Sequence, residues 1–269
     1  MATALDRLRR LLLTGAAFVF FFAGGLLLSY LVLPVVRLRP GTAAEKARRC
    51  RLLVGRTWML FHDYMRIAII LHHDPRSTRF VLPDGPFVLV SNHPTLVDVT
   101  ALVAAIPDIA IVAKEAMFRS PLLGRLLTCC DHIQGGDGAF AGAAVVEGAL
   151  ERLAQGTPVL IFPEGTRSPR LAVGRLLPGA FEAAERAGVA VVVAYISCEP
   201  PTLMRGDAWY AIPARAPVLS IEQLATIRVG PGQAREAAMR LQAQYASLVG
   251  LGHSSARRHQ APSAPLANA

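Results

Sequence analysis

The chain has 269 residues, a net charge of +9 and a mean hydropathy of +0.40. This length suits one domain of ordinary size once an apolar leader is set aside. Residues 1–60 carry ten Arg or Lys against two acidic residues, and the other 209 residues carry eighteen against seventeen. A nucleic-acid-binding module would spread its basic groups over a folded face, so this distribution argues against nucleic acid and favours anionic membrane lipid as a partner.

The first predicted element is an apolar helix. Residues 11–36 contain no charged side chain and would form a helix about 39 Å long, against a hydrocarbon core about 30 Å thick. A cleaved signal peptide would have a shorter apolar region that ends in small residues, which this segment does not. We therefore predict a membrane anchor over residues 1–40.

Charges around the anchor predict its orientation. Because more Arg and Lys follow the segment than precede it, the rest of the chain is expected at the cytoplasmic face of the inner (plasma) membrane. A bend at Gly24 and Gly25 would instead give a helical hairpin that returns to the same leaflet, and the sequence does not choose between the two. The cysteines show no paired metal-ligand spacing, which fits a reduced, cytosol-facing domain. They are Cys50, Cys129, Cys130 and Cys198.

A basic amphipathic helix is predicted within residues 41–75. Thr42 and Glu45 form a capping-box pattern for a helix that runs toward Leu71. Its second half carries apolar residues at helical spacing, which fits an interfacial helix and ordinary core packing equally well. These residues are Trp58, Phe61, Tyr64 and Ile67. At its end, His72 and His73 lack further metal ligands at a useful spacing and indicate a solvated helix terminus.

Strand-like and helical patterns alternate over residues 76–250, the predicted catalytic domain. Short apolar runs typical of strands occupy residues 87–91, 109–113, 159–162 and 189–195. Helical patterns occupy residues 121–130, 139–155, 180–187 and 234–249. This alternation predicts an α/β fold with a mixed sheet flanked by helices. Residues 251–269, rich in Ser, Pro, Ala and Arg, are predicted to form a disordered tail.

A histidine and a carboxylate follow the first predicted strand. His93 and Asp98 come just past its carboxyl end, where ligand crevices of open α/β sheets lie. Five positions on an ideal helix separate side chains by about 140°, so the two can meet only if Pro94 and Thr95 form a turn. A histidine held by a carboxylate is fixed in one tautomer and can act as a general base. Simple capping of a loop and a helix would explain this pair equally well.

A second polar loop follows the third predicted strand. Residues 163–168 read Pro-Glu-Gly-Thr-Arg-Ser. Gly165 lets the backbone approach a ligand, Thr166 offers a hydroxyl, and Arg167 can bind a phosphate or carboxylate bidentately. Glu164 would repel a phosphate, so it is expected to orient Arg167 or to bind an acceptor hydroxyl. This anion-binding loop favours the catalytic interpretation of the histidine and aspartate.

The His-x4-Asp motif and the Phe-Pro-Glu-Gly-Thr-Arg-Ser motif about 70 residues later resemble the lysophospholipid acyltransferase family. Residues 112–114, which end in Lys114, and the following Pro121 and Gly124 resemble the family's intermediate block. The resemblance covers about residues 85–200. It implies an acyltransferase of phospholipid biosynthesis, similar to 1-acylglycerol-3-phosphate acyltransferase, that moves a fatty acyl group from acyl-CoA or acyl-carrier protein to a lysophospholipid hydroxyl.

The resemblance also implies roles for single residues. His93 corresponds to the general base and Asp98 to its partner. The implied substrate-binding residues are Lys114, Glu164, Gly165, Thr166 and Arg167. It implies no cofactor and no metal, with the acyl thioester donor and a lysolipid acceptor as partners. Because no Gly-x-Ser-x-Gly elbow marks a nucleophile, direct transfer without an acyl-enzyme is expected.

Two departures from the family pattern leave the acceptor open. Family members place an Arg shortly after the strand of the intermediate block, where residues 131–137 read Asp-His-Ile-Gln-Gly-Gly-Asp. The usual prolines of the fourth block are also absent, and Ala190 and Ala194 occupy that region. A non-glycerol lysolipid or other lipid acceptor is therefore an alternative. A second alternative is a catalytically silent membrane protein that binds lipid, against which the intact motifs argue.

Overall fold

A computed structural model of the chain describes residues 4–136 and 141–260. At its centre lies a six-stranded sheet in the order β3-β2-β4-β1-β5-β6. The strands are β1 (Phe87–Ser91), β2 (Ala110–Lys114), β3 (Ile133–Gly135), β4 (Val159–Ile161), β5 (Ala190–Glu199) and β6 (Val218–Ile227). The first five pair in parallel, and β6 pairs antiparallel with β5. The predicted mixed sheet flanked by helices is confirmed.

Helices cover both faces of the sheet. They are α1 (Ala4–Leu27), α2 (Leu33–Leu38), α3 (Ala43–Ile67), α4 (Asp98–Ala105), α5 (Glu115–Phe118), α6 (Gly124–Cys129), α7 (Ala141–Ala154), α8 (Gly179–Ala187) and α9 (Ala234–Gln260). On β1, Phe87 and Leu89 pack in a cluster with residues of α3, α4 and α6, whereas Val88 and Val90 pack with α7, α8 and α9. Successive strand residues point to opposite faces, so a continuously apolar strand serves both helical layers.

Two strands were missed by the sequence prediction. β3 has three residues, which is too short to show any periodicity. β6 lies at the edge of the sheet and most of its residues are half-buried or exposed, so its sequence lacks a clear apolar alternation. The strands that carry the two motifs, β1 and β4, are continuously buried, whereas a very short or half-exposed strand leaves no such apolar run in the sequence.

The predicted apolar helix is a continuous helical segment over Ala4–Leu38, which we call the apolar segment. Within the described residues it is the one helix long and apolar enough to cross a membrane, with a mean hydropathy of 2.3 over an 18-residue stretch. Gly24 and Gly25 lie inside α1, so the bend at these glycines, which the sequence left open as an alternative, is not observed. A π-helical turn, Leu28–Val32, joins α1 to α2 just before Pro34, whose nitrogen cannot donate a hydrogen bond.

The apolar segment turns back after α2 and packs antiparallel to α3. Leu13 accepts a hydrogen bond from the Tyr64 hydroxyl at 2.9 Å, and further along the pair the rings of Phe21 and Trp58 stack at 5.4 Å. The predicted capping box that starts α3 is present at Thr42. A helical hairpin therefore does exist, but it is formed by the apolar segment and α3.

The hairpin is part of the core. Leu33 and Phe61 belong to the same buried cluster as Leu89 of β1. Of the apolar residues predicted on α3, Phe61 is buried, whereas Ile67 at its end is 75% exposed, so the core and interfacial interpretations each hold for part of the helix. The boundary predicted at residue 75 does not separate two hydrophobic cores.

The last helix is longer than predicted. α9 extends to Gln260, although residues 251–260 were assigned to a disordered tail. The first proline after α9 begins is Pro262, so no proline interrupts helical hydrogen bonding before that position. Residues 261–269 of the predicted tail lie outside the described residues.

Candidate active site

The carboxyl end of β1 brings His93 and Asp98 together. The chain turns over residues 94–97, and α4 begins at Asp98. This turn, which the spacing of the two residues required, places Nδ1 of His93 2.8 Å from Oδ2 of Asp98. His93 and Asp98 thus form a hydrogen-bonded pair at the sheet edge where ligand crevices occur.

The surroundings of Asp98 decide which nitrogen of His93 carries the proton. Asp98 is fully buried and accepts hydrogen bonds from both the backbone N–H and the hydroxyl of Thr95. These donors and the first turn of α4 stabilise its negative charge. A carboxylate can only accept, so Nδ1 of His93 must donate to it, and Nε2 is left with a lone pair.

His93 itself is held but reachable. Its ring stacks on that of Phe162, with centroids 4.3 Å apart, and its side chain is 15% exposed. The preceding Asn92 ties the loop to β5, because its side chain donates to the carbonyl of Ile196 at 2.8 Å and accepts from the N–H of Ile196 at 2.7 Å. Sequence reasoning gave Asn92 and Phe162 no role, although both adjoin the two motifs.

Glu164 connects the second loop to the first. It is 8% exposed, and its Oε1 accepts hydrogen bonds from the backbone N–H of His93 and the hydroxyl of Ser168, while Oε2 accepts from the N–H of Gly174. Ser168 also donates its N–H to the carbonyl of His93 at 2.7 Å. The expectation that Glu164 orients Arg167 directly is not met, because no hydrogen bond joins the two within the described residues. Oε1 holds the two loops together and Oε2 binds further along the second loop, while binding of an acceptor hydroxyl stays a prediction.

The other residues of this loop remain closer to the surface. Gly165 has a φ of +65°, a left-handed conformation that favours glycine. Thr166 and Arg167 are half-buried. Nη1 of Arg167 donates to the carbonyls of Leu203 and Met204, both at 3.3 Å. Arg167 therefore joins this loop to the chain that follows β5.

Lys114 ends β2, the strand between β3 and β4, and its side chain is exposed. It therefore lies at the same edge of the sheet as the loops after β1 and β4. On the neighbouring β3, the exposed Gln134 pairs with Ala113. The partner of Lys114 itself is Gly135, so the edge strand places no charged side chain beside Lys114.

A buried histidine pair lies behind the site. His62 and His73 have ring centroids 4.9 Å apart, and burial lowers the pKa of both, that of His62 to about 3. Nδ1 of His73 donates to the carbonyl of Leu219 in β6 at 3.1 Å, and His73 is close enough to Asp98 for the charge of that carboxylate to affect its pKa. The predicted solvated helix terminus is wrong for His73, which is buried. A bridge between His72 and Val218 pairs this part of the chain with the start of β6.

Cys198 is the cysteine whose pKa is affected by the charge of Asp98. Burial, together with a smaller contribution from the charge of Asp98, raises its pKa to about 12. A thiol with such a pKa stays protonated at neutral pH, whereas the thiolate is the nucleophilic form. Direct transfer through His93 therefore fits this site better than an acyl-cysteine intermediate.

Comparisons with known proteins show the family of this chain. A family model described as Acyltransferase matches residues 63–197, half of the chain. A 1-acyl-sn-glycerol-3-phosphate acyltransferase of Chlamydomonas reinhardtii is 32% identical over 111 residues, which are 41% of this chain and 33% of the relative. The alpha form of the mouse enzyme is 28% identical over 223 residues, which are 78% of this chain and 72% of the relative.

A solved structure shares the fold. The crystal structure of PlsC, the 1-acyl-sn-glycerophosphate acyltransferase from Thermotoga maritima, has a TM-score of 0.61 and covers 90% of this chain and 97% of its own. At 17% sequence identity this likeness concerns the fold alone. The apolar segment is consistent with membrane association.

Proposed function

Because the chain belongs to the Acyltransferase family, we propose that it transfers a fatty acyl group from an acyl thioester to the hydroxyl of a lysophospholipid in phospholipid biosynthesis. The printed names of its relatives support 1-acylglycerol-3-phosphate as the first acceptor to test. The observation that carries the proposal is the 2.8 Å contact between His93 and the buried Asp98. A purely lipid-binding protein would have no use for a buried carboxylate that fixes a histidine tautomer.

The proposed reaction uses the free Nε2 of His93 as the base. Nε2 takes the proton of the acceptor hydroxyl while the hydroxyl oxygen attacks the thioester carbonyl. The resulting imidazolium is stabilised by Asp98. When the tetrahedral intermediate collapses, the carbon–sulfur bond breaks, and His93 returns the proton to the departing thiolate. An ester and a free thiol, of coenzyme A or acyl-carrier protein, are the products, and the enzyme is regenerated without a cofactor.

The loop over residues 163–168 is the proposed site for the acceptor's anionic group. Arg167 supplies the charge, Thr166 a hydroxyl, and Gly165 a close approach of the backbone. Lys114, at the same edge of the sheet, adds a second cation. Glu164 contributes by holding this loop against the His93 loop.

A non-glycerol lysolipid acceptor is a second candidate. Two observations favour it: the partner of Lys114 on β3 is Gly135, which has no side chain, and Nη1 of Arg167 already donates to two backbone carbonyls. Both features limit the cationic donors available to a phosphomonoester, which carries close to two negative charges at neutral pH.

The proposed membrane arrangement follows from both ends of the apolar segment. Near its start, Arg10 donates to the carbonyls of Pro213 and Ala214, and near its end, Arg37 donates to the carbonyl of Cys129 at 2.8 Å. Because both ends are fixed to the same domain, we propose that the segment lies in one leaflet and does not cross the bilayer. The cytoplasmic face is proposed from the basic residues that follow the segment.

Purified full-length protein in vesicles with anionic lipid tests the function. The vesicles contain one lysolipid at a time, either lysophosphatidic acid or a lysolipid without a phosphomonoester, and acyl-CoA or acyl-carrier protein is added. We expect mass spectrometry to detect a product heavier than the lysolipid by one acyl group, and free thiol in equal amount. Thioester hydrolysis without any acylated lysolipid would contradict the proposal.

A further inference from the structure

The chain between β5 and β6, residues 200–217, is called the bridging loop. It contacts the apolar segment and also residues 92–97 around His93, which we call the catalytic loop. Its contacts with the catalytic loop lie at one end. The carbonyl of Leu203 accepts the N–H of Leu96 at 3.0 Å, and Met204 forms a strand-like bridge with Thr95, the residue that donates to Asp98. The same end receives the hydrogen bonds from Arg167.

The other end of the bridging loop is fixed to α1. The ring of Trp209 lies edge-on to Phe18 with centroids 5.8 Å apart, and a Cβ atom at Gly15 would be 3.7 Å from the same ring. Arg10, which is 2% exposed, donates to the carbonyl of Pro213 at 2.7 Å. Only five positions separate Met204 at the catalytic loop from Trp209 at the apolar segment.

Two aromatic side chains project from this loop beside the apolar segment. Trp209 is 47% and Tyr210 63% exposed, and their rings contact each other at 5.7 Å. Exposed apolar residues continue from them along α1, including Val19 and Phe22. Trp and Tyr favour the membrane–water interface, where the ring meets hydrocarbon and the polar atom meets water.

Charge on the bridging loop also suits a membrane surface. Arg205 is exposed, and Arg215 is 75% exposed at 3.8 Å from Glu199. The acidic side chain of this loop, Asp207, is paired with Arg170. Exposed arginines next to exposed aromatic rings are suited to anionic lipid headgroups above an apolar layer.

We propose that Trp209 and Tyr210 form a second membrane contact, which seats the bridging loop among the lipid headgroups. A lipid acceptor then reaches His93 beneath this loop directly from the bilayer. The membrane contact stands on the geometry alone, whereas the delivery of the acceptor rests on the proposed function. The bilayer is the occupant because the aromatic pair continues the exposed apolar surface of α1.

Tryptophan fluorescence tests the membrane contact independently of activity. The chain has two tryptophans, so Trp58→Phe leaves Trp209 as the only one, and Trp209→Phe leaves Trp58 as the matched control. In vesicles with lipids brominated at different depths, we expect Trp209 to be quenched most by bromine near the headgroups. We also expect acrylamide to quench it several-fold less than a free tryptophan. Quenching of Trp209 fluorescence by acrylamide but by none of the brominated lipids would overturn the proposal.

Tyr210→Ser tests delivery of the acceptor. We expect a several-fold rise in the KM for a long-chain lysolipid in vesicles, with no change in the KM for the thioester or in the rate with a short-chain, water-soluble lysolipid. An equal loss with both acceptors, or no change with either, would contradict delivery through this loop. If the wild-type protein acylates no lysolipid, the proposed function fails, and the quenching result still decides the membrane contact.

Discussion

Nδ1 of His93 donates to a carboxylate of Asp98 that has no exposed surface and already receives two hydrogen bonds from Thr95. The tautomer with a free Nε2 is therefore fixed by protein contacts before any substrate binds. Preorganisation of this kind lowers the cost of forming the imidazolium during the reaction.

Asp98→Asn should reverse this tautomer. The asparagine oxygen would accept from Thr95, and its amide would then donate to Nδ1 of His93, which leaves the proton on Nε2. We expect kcat to fall by about 10³ to 10⁴, as for comparable histidine–aspartate pairs, with a smaller change in KM. Steady-state kinetics and a circular dichroism spectrum like that of the wild type would establish this. A kcat within threefold of the wild-type value would rule out the orienting role.

Glu164→Gln should loosen the two loops. If the amide oxygen keeps the N–H of Gly174, the amide nitrogen cannot accept from the N–H of His93, which is left with Ser168 Oγ at 3.2 Å as its acceptor. Loss of this hydrogen bond to a charged carboxylate costs about 1–3 kcal/mol, which lowers the Tm by a few degrees and reduces kcat. Glu182→Gln on the exposed side of α8 is the matched control and should change neither. Equal Tm values for both variants would contradict this role of Glu164.

Arg167→Lys should weaken binding of the acceptor. Lysine keeps the positive charge but lacks the planar fork, of which Nη1 contacts two carbonyls of the bridging loop and the other N–H groups are proposed to bind the anion. We expect a large rise in the KM for a phosphomonoester acceptor and little change in the KM for the thioester. Unchanged kinetics with lysophosphatidic acid as an efficient acceptor would show that this loop does not bind the acceptor's anion.

Acid should destabilise the protein through buried histidines. Burial lowers the pKa of His132 from 6.5 to about 3, so at pH 5 the unfolded chain binds a proton that the folded protein does not. Stability is therefore lost as the pH falls from about 6.5 toward 3, by about 2 kcal/mol per such histidine at pH 5. His62 shares this behaviour, with a pKa of about 3.

His132→Asn isolates this effect. The asparagine oxygen can still accept the N–H of Ile111, which now bonds Nδ1 of His132 at 3.2 Å, but it cannot titrate. We expect the fall in Tm between pH 7.5 and pH 5, measured in detergent, to be smaller in the variant than in the wild type. An identical pH dependence would exclude His132 as a source of acid lability.

The contact between His93 and Asp98 was predictable because it is local. His93 and Asp98 are five residues apart, and the turn between them follows from Pro94 and the end of a buried strand. The strands that carry the motifs were predictable as well, since they are continuously apolar and buried on both faces.

Contacts between distant parts of the chain were not predictable. Glu164 reaches His93 across 71 positions, and its motif resembles an anion-binding loop whether or not this contact forms. Trp209 contacts Phe18, which is far from it in the sequence, and lies in a loop without periodicity. His73 looks like an exposed helix end until β6, a strand that the sequence did not reveal, covers it.

His93→Ala tests whether Nε2 of His93 is the base for acyl transfer. The full-length variant is assayed in vesicles with the lysolipid that the wild-type protein acylates best, and both acylated lysolipid and free thiol are measured. We predict that both products fall to background while the Tm stays within a few degrees of the wild-type value. Acyl transfer at the wild-type rate by the folded variant would show that His93 is not the base.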